Sequence, residues 1–185
     1  MTWNMLQLIF CAMPFVLSLT LYKSRHPFMA AFYDAMTRSA KARKLYVQVV
    51  LVLLLLFHYV YTGGHPGEFG VLPSTAVCAV MFSFKRADKW LRGLLDRPRA
   101  FGTLALMALG TGFVPHLYTT AVTAVYLLLA ALFYPSVRVM TEWSDRSRLS
   151  GWVKHPELLA ESYHDHHHAK LPHNADSGNL DISAQ

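Results

Sequence analysis

Charged residues are scarce in this sequence, and several long stretches have none. Asp, Glu, Lys and Arg together make up 15% of the 185 residues, whereas hydrophobic residues make up 54%. Soluble domains carry roughly 25% charged residues. The low charge content therefore argues against an ordinary soluble domain and favours a membrane protein.

Cysteines and catalytic signatures are also few. Cys11 and Cys78 are the two cysteines and both lie in apolar runs, which excludes a disulfide scaffold and any CxxC motif. The phosphate-binding GxxxxGK(S/T), dinucleotide-binding GxGxxG, hydrolase GxSxG and zinc-protease HExxH patterns are missing. We therefore expect no enzymatic activity and no dedicated cofactor.

The longest uncharged run, residues 45–61, indicates how the chain meets a membrane. Its seventeen residues read LYVQVVLVLLLLFHYVY, without period-2 alternation or a polar stripe. A helix of this length with a few flanking residues matches a hydrocarbon core roughly 30 Å thick. The run predicts a transmembrane helix.

Four further apolar runs accompany it, so the sequence predicts an all-α, polytopic membrane protein with five short transmembrane helices. Positive charge follows the first run instead of preceding it, which favours a retained helix over a signal peptide, and Pro14 predicts a kink. Small residues at four-residue spacing predict helix-packing faces, as in Thr75, Ala79 and Ser83. The five runs are residues 3–22, 45–61, 71–84, 100–114 and 119–137.

Lys and Arg alternate between the connecting segments. The segments between successive runs hold six, zero, six and zero positive residues, and the tail opens with Arg138, Arg146 and Arg148. Because cytoplasmic loops are enriched in Lys and Arg, the pattern predicts an outer amino terminus, a cytoplasmic carboxyl terminus and a place in a cell inner membrane. Distribution over separate loops also argues against a nucleic-acid partner, despite the net charge of +6.

Both positive segments contain apolar residues at helical spacing. This pattern predicts amphipathic helices lying in the lipid headgroup region. The predicted apolar stripes are Phe28, Ala31, Phe32, Ala35 and Met36 in the first segment and Ala87, Trp90, Leu91, Leu94 and Leu95 in the second.

The carboxyl-terminal tail differs from the rest in composition, which divides the chain into a transmembrane domain, residues 1–140, and a hydrophilic tail, residues 141–185. The tail holds seven acids and six histidines, and we expect a short helix over 156–168 followed by disorder. Glu161, His164 and His168 would share a helix face, a spacing that suits a divalent metal. A solvated tail and loose metal binding are the alternatives to a metal centre.

Three histidines and one acid fall on the predicted outer side, where His65 and Glu68 lie in the first outer loop. His58 lies near the outer end of the central helix and His116 in the last outer loop. An intramembrane imidazole suggests axial ligation of a b-type haem or a proton path, and a polar cap at the interface is the simpler alternative.

The first functional hypothesis is a non-catalytic accessory or scaffold subunit of a larger membrane assembly. It would use small-residue helix faces to pack against the helices of other membrane subunits, and its cytoplasmic tail to dock. A small transporter or channel subunit that forms a homo-oligomer is the second hypothesis. The third is a membrane metalloprotein or haem anchor that uses His58 and His116.

Overall fold

The fold is all-helical in the described part of the chain. The computed structural model describes residues 2–22, 27–65 and 67–144, in which eight helices and no strands occur. The predicted tail helix and most of the predicted tail domain lie outside these residues. The helices are α1 (Thr2–Leu21), α2 (Pro27–Arg38), α3 (Ala40–Thr62), α4 (Val71–Phe82), α5 (Phe84–Leu95), α6 (Pro98–Gly112), α7 (Tyr118–Leu132) and α8 (Val137–Ser144).

The central helix α3 contains the whole predicted run and starts earlier. Ser39 caps it, since its side-chain oxygen accepts a hydrogen bond from the Ala42 amide at 3.3 Å. Two glycines, Gly63 and Gly64, follow its last turn. A side-chain acceptor at the start and glycines at the end define a 23-residue helix with no acid along its length.

Within the described residues, two helices are long and apolar enough to cross a membrane. They are Ala40–Thr62 and the stretch Tyr118–Thr141, which combines α7, the turn at Pro135 and the start of α8. Helix α4 has 12 residues and α6 has 15, so α4 rises only about 18 Å and α6 about 22 Å. Membrane crossing by all five apolar runs stays a prediction, as does a kink at Pro14.

The core forms where α3, α5 and α7 meet. Leu54 and Phe57 of α3 are fully buried, and Ala131 of α7 is buried against the same cluster. Helix α5 is amphipathic as predicted, but Leu91 and Leu95 pack into this protein core. Neighbouring helices cover these residues, and a position of α5 in the headgroup region stays a prediction.

Helix α2 packs on the protein through a face that differs in part from the apolar stripe predicted for the headgroup region. Met29, Tyr33 and Met36 are buried, whereas the predicted stripe members Phe28 and Ala31 are exposed. Packing of α2 against α8 and the end of α1, through Val139 and Leu21, selects the buried face. Burial raises the pKa of Tyr33 to about 12, so this phenol stays neutral at physiological pH.

The connections fall at two opposite ends of the bundle. The basic end, as we name it, gathers the end of α2, the start of α3, helix α5 and the turn after α7. The opposite end gathers the α3–α4 and α6–α7 connections, residues 63–70 and 113–117. No Lys or Arg occurs in those two connections, so neither connection at the opposite end carries positive charge.

Candidate functional site

His58 makes two hydrogen bonds within the protein. Its Nδ1 lies 2.7 Å from the Leu54 carbonyl oxygen, to which it donates, and its Nε2 contacts the Ser74 hydroxyl of α4. Both ring nitrogens are thus engaged, and the residue is buried. An axial haem ligand needs one ring nitrogen free, so coordination by His58 would require breaking one of these two bonds.

His116 occupies the turn between α6 and α7 and is exposed there. Its backbone φ is +64°, and its carbonyl oxygen accepts the Gly70 amide at 2.8 Å. Its ring meets the Phe69 ring edge-on, with 6.2 Å between centroids. The structure places the two predicted histidines in separate contacts, His58 inside the helix bundle and His116 at its surface, and the haem hypothesis stays untested.

The predicted metal ligands of the tail, Glu161, His164 and His168, lie outside the described residues. Within residues 2–22, 27–65 and 67–144, no three His, Cys, Asp or Glu side chains group together as a metal site would require.

The opposite end is held by polar contacts that join connections distant in sequence. The Glu68 carboxylate accepts the Thr119 amide at 3.0 Å and its hydroxyl at 3.2 Å. The Thr120 hydroxyl donates to the Gly70 carbonyl oxygen at 3.0 Å. Because Glu68 sits at the amino terminus of α7, its negative charge also complements the helix dipole.

Gly70 allows this close approach. A Cβ placed there would lie 2.5 Å from the Thr119 side-chain oxygen and 3.0 Å from the Leu117 Cα. Any larger residue would force the α3–α4 connection away from α7. The glycine therefore has a packing role that the turn-rich sequence TGGHPGEFG does not reveal.

The basic end contains the most concentrated polar group of the described chain, which we call the Asp88 cluster: Arg43, Asp88, Arg92 and Tyr134. Arg92 Nη2 lies 2.8 Å from Asp88 Oδ1, Arg43 Nε lies 3.7 Å from it, and the Tyr134 hydroxyl donates to the same oxygen. One carboxylate therefore joins α3, α5 and the end of α7. Charged groups with this little exposure are stable only when paired.

Arg43 extends the cluster to α2. Its Nη1 donates to the Met36 carbonyl oxygen at 2.8 Å and to the Thr37 carbonyl oxygen at 3.1 Å. These carbonyls belong to the last turn of α2, where a cation also complements the helix dipole. Arg43 is only 8% exposed, so it acts as an internal tie between helices.

The Asp88 cluster has more positive than negative charge. Two guanidinium groups face one carboxylate, and Nε of both Arg43 and Arg92 is buried without a hydrogen-bond partner in the described part of the chain. In the sequence, Arg43, Asp88 and Arg92 indicate only the topology of the chain. Asp88 four residues before Arg92 was the available sign of a pair, but nothing local indicated Arg43 or Tyr134.

An apolar cavity of about 420 Å³ lies beside the Asp88 cluster, between α1, α2, α3 and α7. Its walls include Met29, Phe32, Val50 and Tyr126, and Tyr46 closes one side. The Tyr46 hydroxyl donates to the Ala130 carbonyl oxygen at 2.9 Å, so the polar group at this wall is already engaged.

Comparison with known proteins gives no relative from which a role could be transferred. Neither family models, nor curated proteins, nor solved structures match the chain. The functional conclusions below therefore depend on the residues and their geometry.

Proposed function

We propose that this protein is a non-catalytic accessory subunit of a larger membrane assembly, in which it packs through outward-facing helix surfaces. The observation that carries the proposal is the position of its small residues. Thr75 and Ala79 of α4 and Gly102 and Gly110 of α6 are exposed, and no atom lies within 4 Å of a Cβ built on either glycine. Small residues at such positions let a neighbouring helix approach closely in lipid.

Large apolar side chains surround these small residues. On α6, Leu106 is 71% and Leu109 is 64% exposed, and on α4 Leu72 is 74% exposed. Apolar surface of this extent favours lipid or other membrane helices as the surroundings. The alternation of small and large residues favours other membrane helices over lipid as the neighbours of this surface, because a helix can pack into recesses of fixed shape.

The polar groups at both ends support a structural role. Three separate contacts each join two elements of the bundle. Glu68 binds the start of α7, Asp88 binds Arg92 and other members of its cluster, and His58 of α3 binds Ser74 of α4. Such contacts fix the helix arrangement that a scaffold needs. The tail, residues 141–185, is proposed as the docking segment on the cytoplasmic side.

The same proposal includes five spans, formed by α1, α3, α4, α6 and α7. Separation of the connections between a basic end and an end without Lys or Arg supports it, with the basic end in the cytoplasm and the amino terminus outside. The inner membrane of a cell is the proposed location. Helix α4, about 18 Å long, would be accommodated by local thinning of the bilayer.

Purification of the tagged full chain from its native membrane in a mild detergent tests the proposal. We expect a colourless preparation that carries other membrane subunits in fixed stoichiometry, identified by mass spectrometry. A homo-oligomer without foreign subunits would contradict it and favour the transport hypothesis. A Soret absorption band lost on His58→Ala or His116→Ala substitution would favour the haem hypothesis instead.

A matched pair of variants tests the proposed surface. Ala79→Leu fills the recess on α4, and Ala12→Leu makes the same change at an exposed alanine of α1. We expect Ala79→Leu to lose the co-purifying subunits while Ala12→Leu retains them. Retention by both variants would show that the α4 surface faces lipid alone. Both substitutions exchange one neutral side chain for another, so neither changes the net charge.

A further inference from the structure

A second cavity, of about 890 Å³, lies between α5, α6 and α7 at the basic end. Its volume falls within the roughly 300–1,000 Å³ typical of ligand pockets. Its walls are chemically divided. Lys89, Arg92 and Arg97 contribute charge, whereas Leu94, Leu104 and Leu127 contribute apolar surface. A ligand that matches both parts must be amphiphilic.

The charge of this pocket favours an anion. Asp88 and Asp96 also line it, but Asp88 already holds Arg43, Arg92 and Tyr134. Lys89 and Arg97 are exposed. Arg92 has a buried Nε without a hydrogen-bond partner in the described chain. Among the lining residues, three positive side chains face two negative ones.

The apolar walls distinguish a lipid from a free anion. Inorganic phosphate would satisfy the basic side chains but leave the leucine-lined part of the pocket unfilled. An acyl chain fills that part and packs against the leucine side chains through dispersion contacts. Trp90 also lines the pocket and is half-exposed. Tryptophan is enriched at the headgroup level of membranes.

We propose that this pocket binds an anionic glycerophospholipid, with its phosphate against Lys89, Arg92 and Arg97 and an acyl chain along Leu94, Leu104 and Leu127. The inference rests on the membrane location in the proposed function, though not on the accessory role. A lipid bound here would contact α5, α6 and α7 simultaneously and fill the gap between α6 and the rest of the bundle.

Native mass spectrometry of the full chain in mild detergent tests the site. The protein is titrated with phosphatidylglycerol, with phosphatidylcholine of the same chain length and with inorganic phosphate. We expect saturable binding of one phosphatidylglycerol, at least about tenfold tighter than phosphatidylcholine, and no displacement by millimolar phosphate. Equal affinity for both lipids would overturn the proposal, and displacement by phosphate would assign the site to a free anion.

Two double variants with the same change in net charge locate the binding. Lys89→Gln with Arg97→Gln removes charge from the pocket, whereas Lys85→Gln with Arg86→Gln removes it from exposed positions of α5 outside the pocket. Since each basic residue near an anionic lipid surface is worth about 1 kcal/mol, the pocket variant should bind roughly tenfold to thirtyfold more weakly. The control should change less than about threefold.

Equal losses in both variants would show diffuse surface attraction and overturn the proposal. Thermal unfolding of both variants confirms that each is folded. Loss of lipid binding with co-purifying subunits retained would separate this site from the accessory role, and the reverse result would leave the lipid site standing without that role.

Discussion

Substitution of Asp88 by Asn tests whether the Asp88 cluster holds the bundle together. The change keeps the size of the side chain but leaves Arg43 and Arg92 without their carboxylate. Their side chains are only 10% and 19% exposed, and that of Asp88 is 22% exposed. Removing one partner from a buried pair costs about 3–5 kcal/mol. Because solvent reaches part of this cluster, we expect the lower limit, about 3 kcal/mol of unfolding free energy.

Thermal unfolding in detergent, followed by tryptophan fluorescence, measures the effect. A loss of about 3 kcal/mol corresponds to a fall in Tm of about 6–12 °C for a chain of this size. Asp34→Asn is the matched control, since it breaks the more exposed Asp34–Arg38 pair one helical turn apart. Such surface pairs contribute about 0.3–0.5 kcal/mol.

Equal falls in Tm for Asp88→Asn and Asp34→Asn would refute the reasoning, because the Asp88 cluster would then behave as a solvated surface group. Tyr134→Phe gives an intermediate point. It removes one hydrogen bond to the carboxylate but leaves both arginines paired. We therefore expect the unfolding free energy to fall by about 1.5 kcal/mol, the lower limit for a hydrogen bond to a charged group. The order of the three losses is the prediction.

Three further changes address the opposite end. Gly70→Ala should lower Tm because its Cβ would lie 2.5 Å from the Thr119 side-chain oxygen, whereas Gly93→Ala, with open space around it, should raise stability by about 0.5–1 kcal/mol; thermal unfolding giving the same sign for both would contradict this. Ser74→Ala leaves His58 Nε2 without its partner and should cost about 1–3 kcal/mol, checked against Thr75→Ala at an exposed neighbour. Glu68→Gln should cost about 0.3–1 kcal/mol through the α7 dipole, and an effect insensitive to salt would argue against that cause.

The local pattern of the sequence predicts the helices well because apolar periodicity and capping residues act within a few residues. Residues 45–61 lie inside α3, and residues 3–22 and 100–114 differ from α1 and α6 by two residues or fewer at each end. The same pattern does not identify the face of α2 that packs on the protein. Apolar residues occupy both sides of that helix, so only its neighbours decide that Tyr33 is buried and Phe28 exposed.

The polar contacts could not be predicted for a related reason. Asp88 meets Tyr134 and Glu68 meets Thr119, pairs separated by 46 and 51 residues. Loop charge counts treat every charge as equivalent. Burial makes them unequal: Arg43 is buried and ties helices together, whereas Lys41 and Lys44, within two residues of it in sequence, are exposed.

Two sets of polar contacts tie elements of the bundle together. The Asp88 cluster joins α3, α5 and the end of α7, and Glu68 joins the α3–α4 connection to the start of α7. Helix α6 takes part in neither set and packs mainly on α7. Its outer face and its side of the pocket between α5, α6 and α7 are therefore not needed for these polar contacts. Binding functions concentrate where a surface is not needed for internal packing, which is why both proposals assign α6 a role.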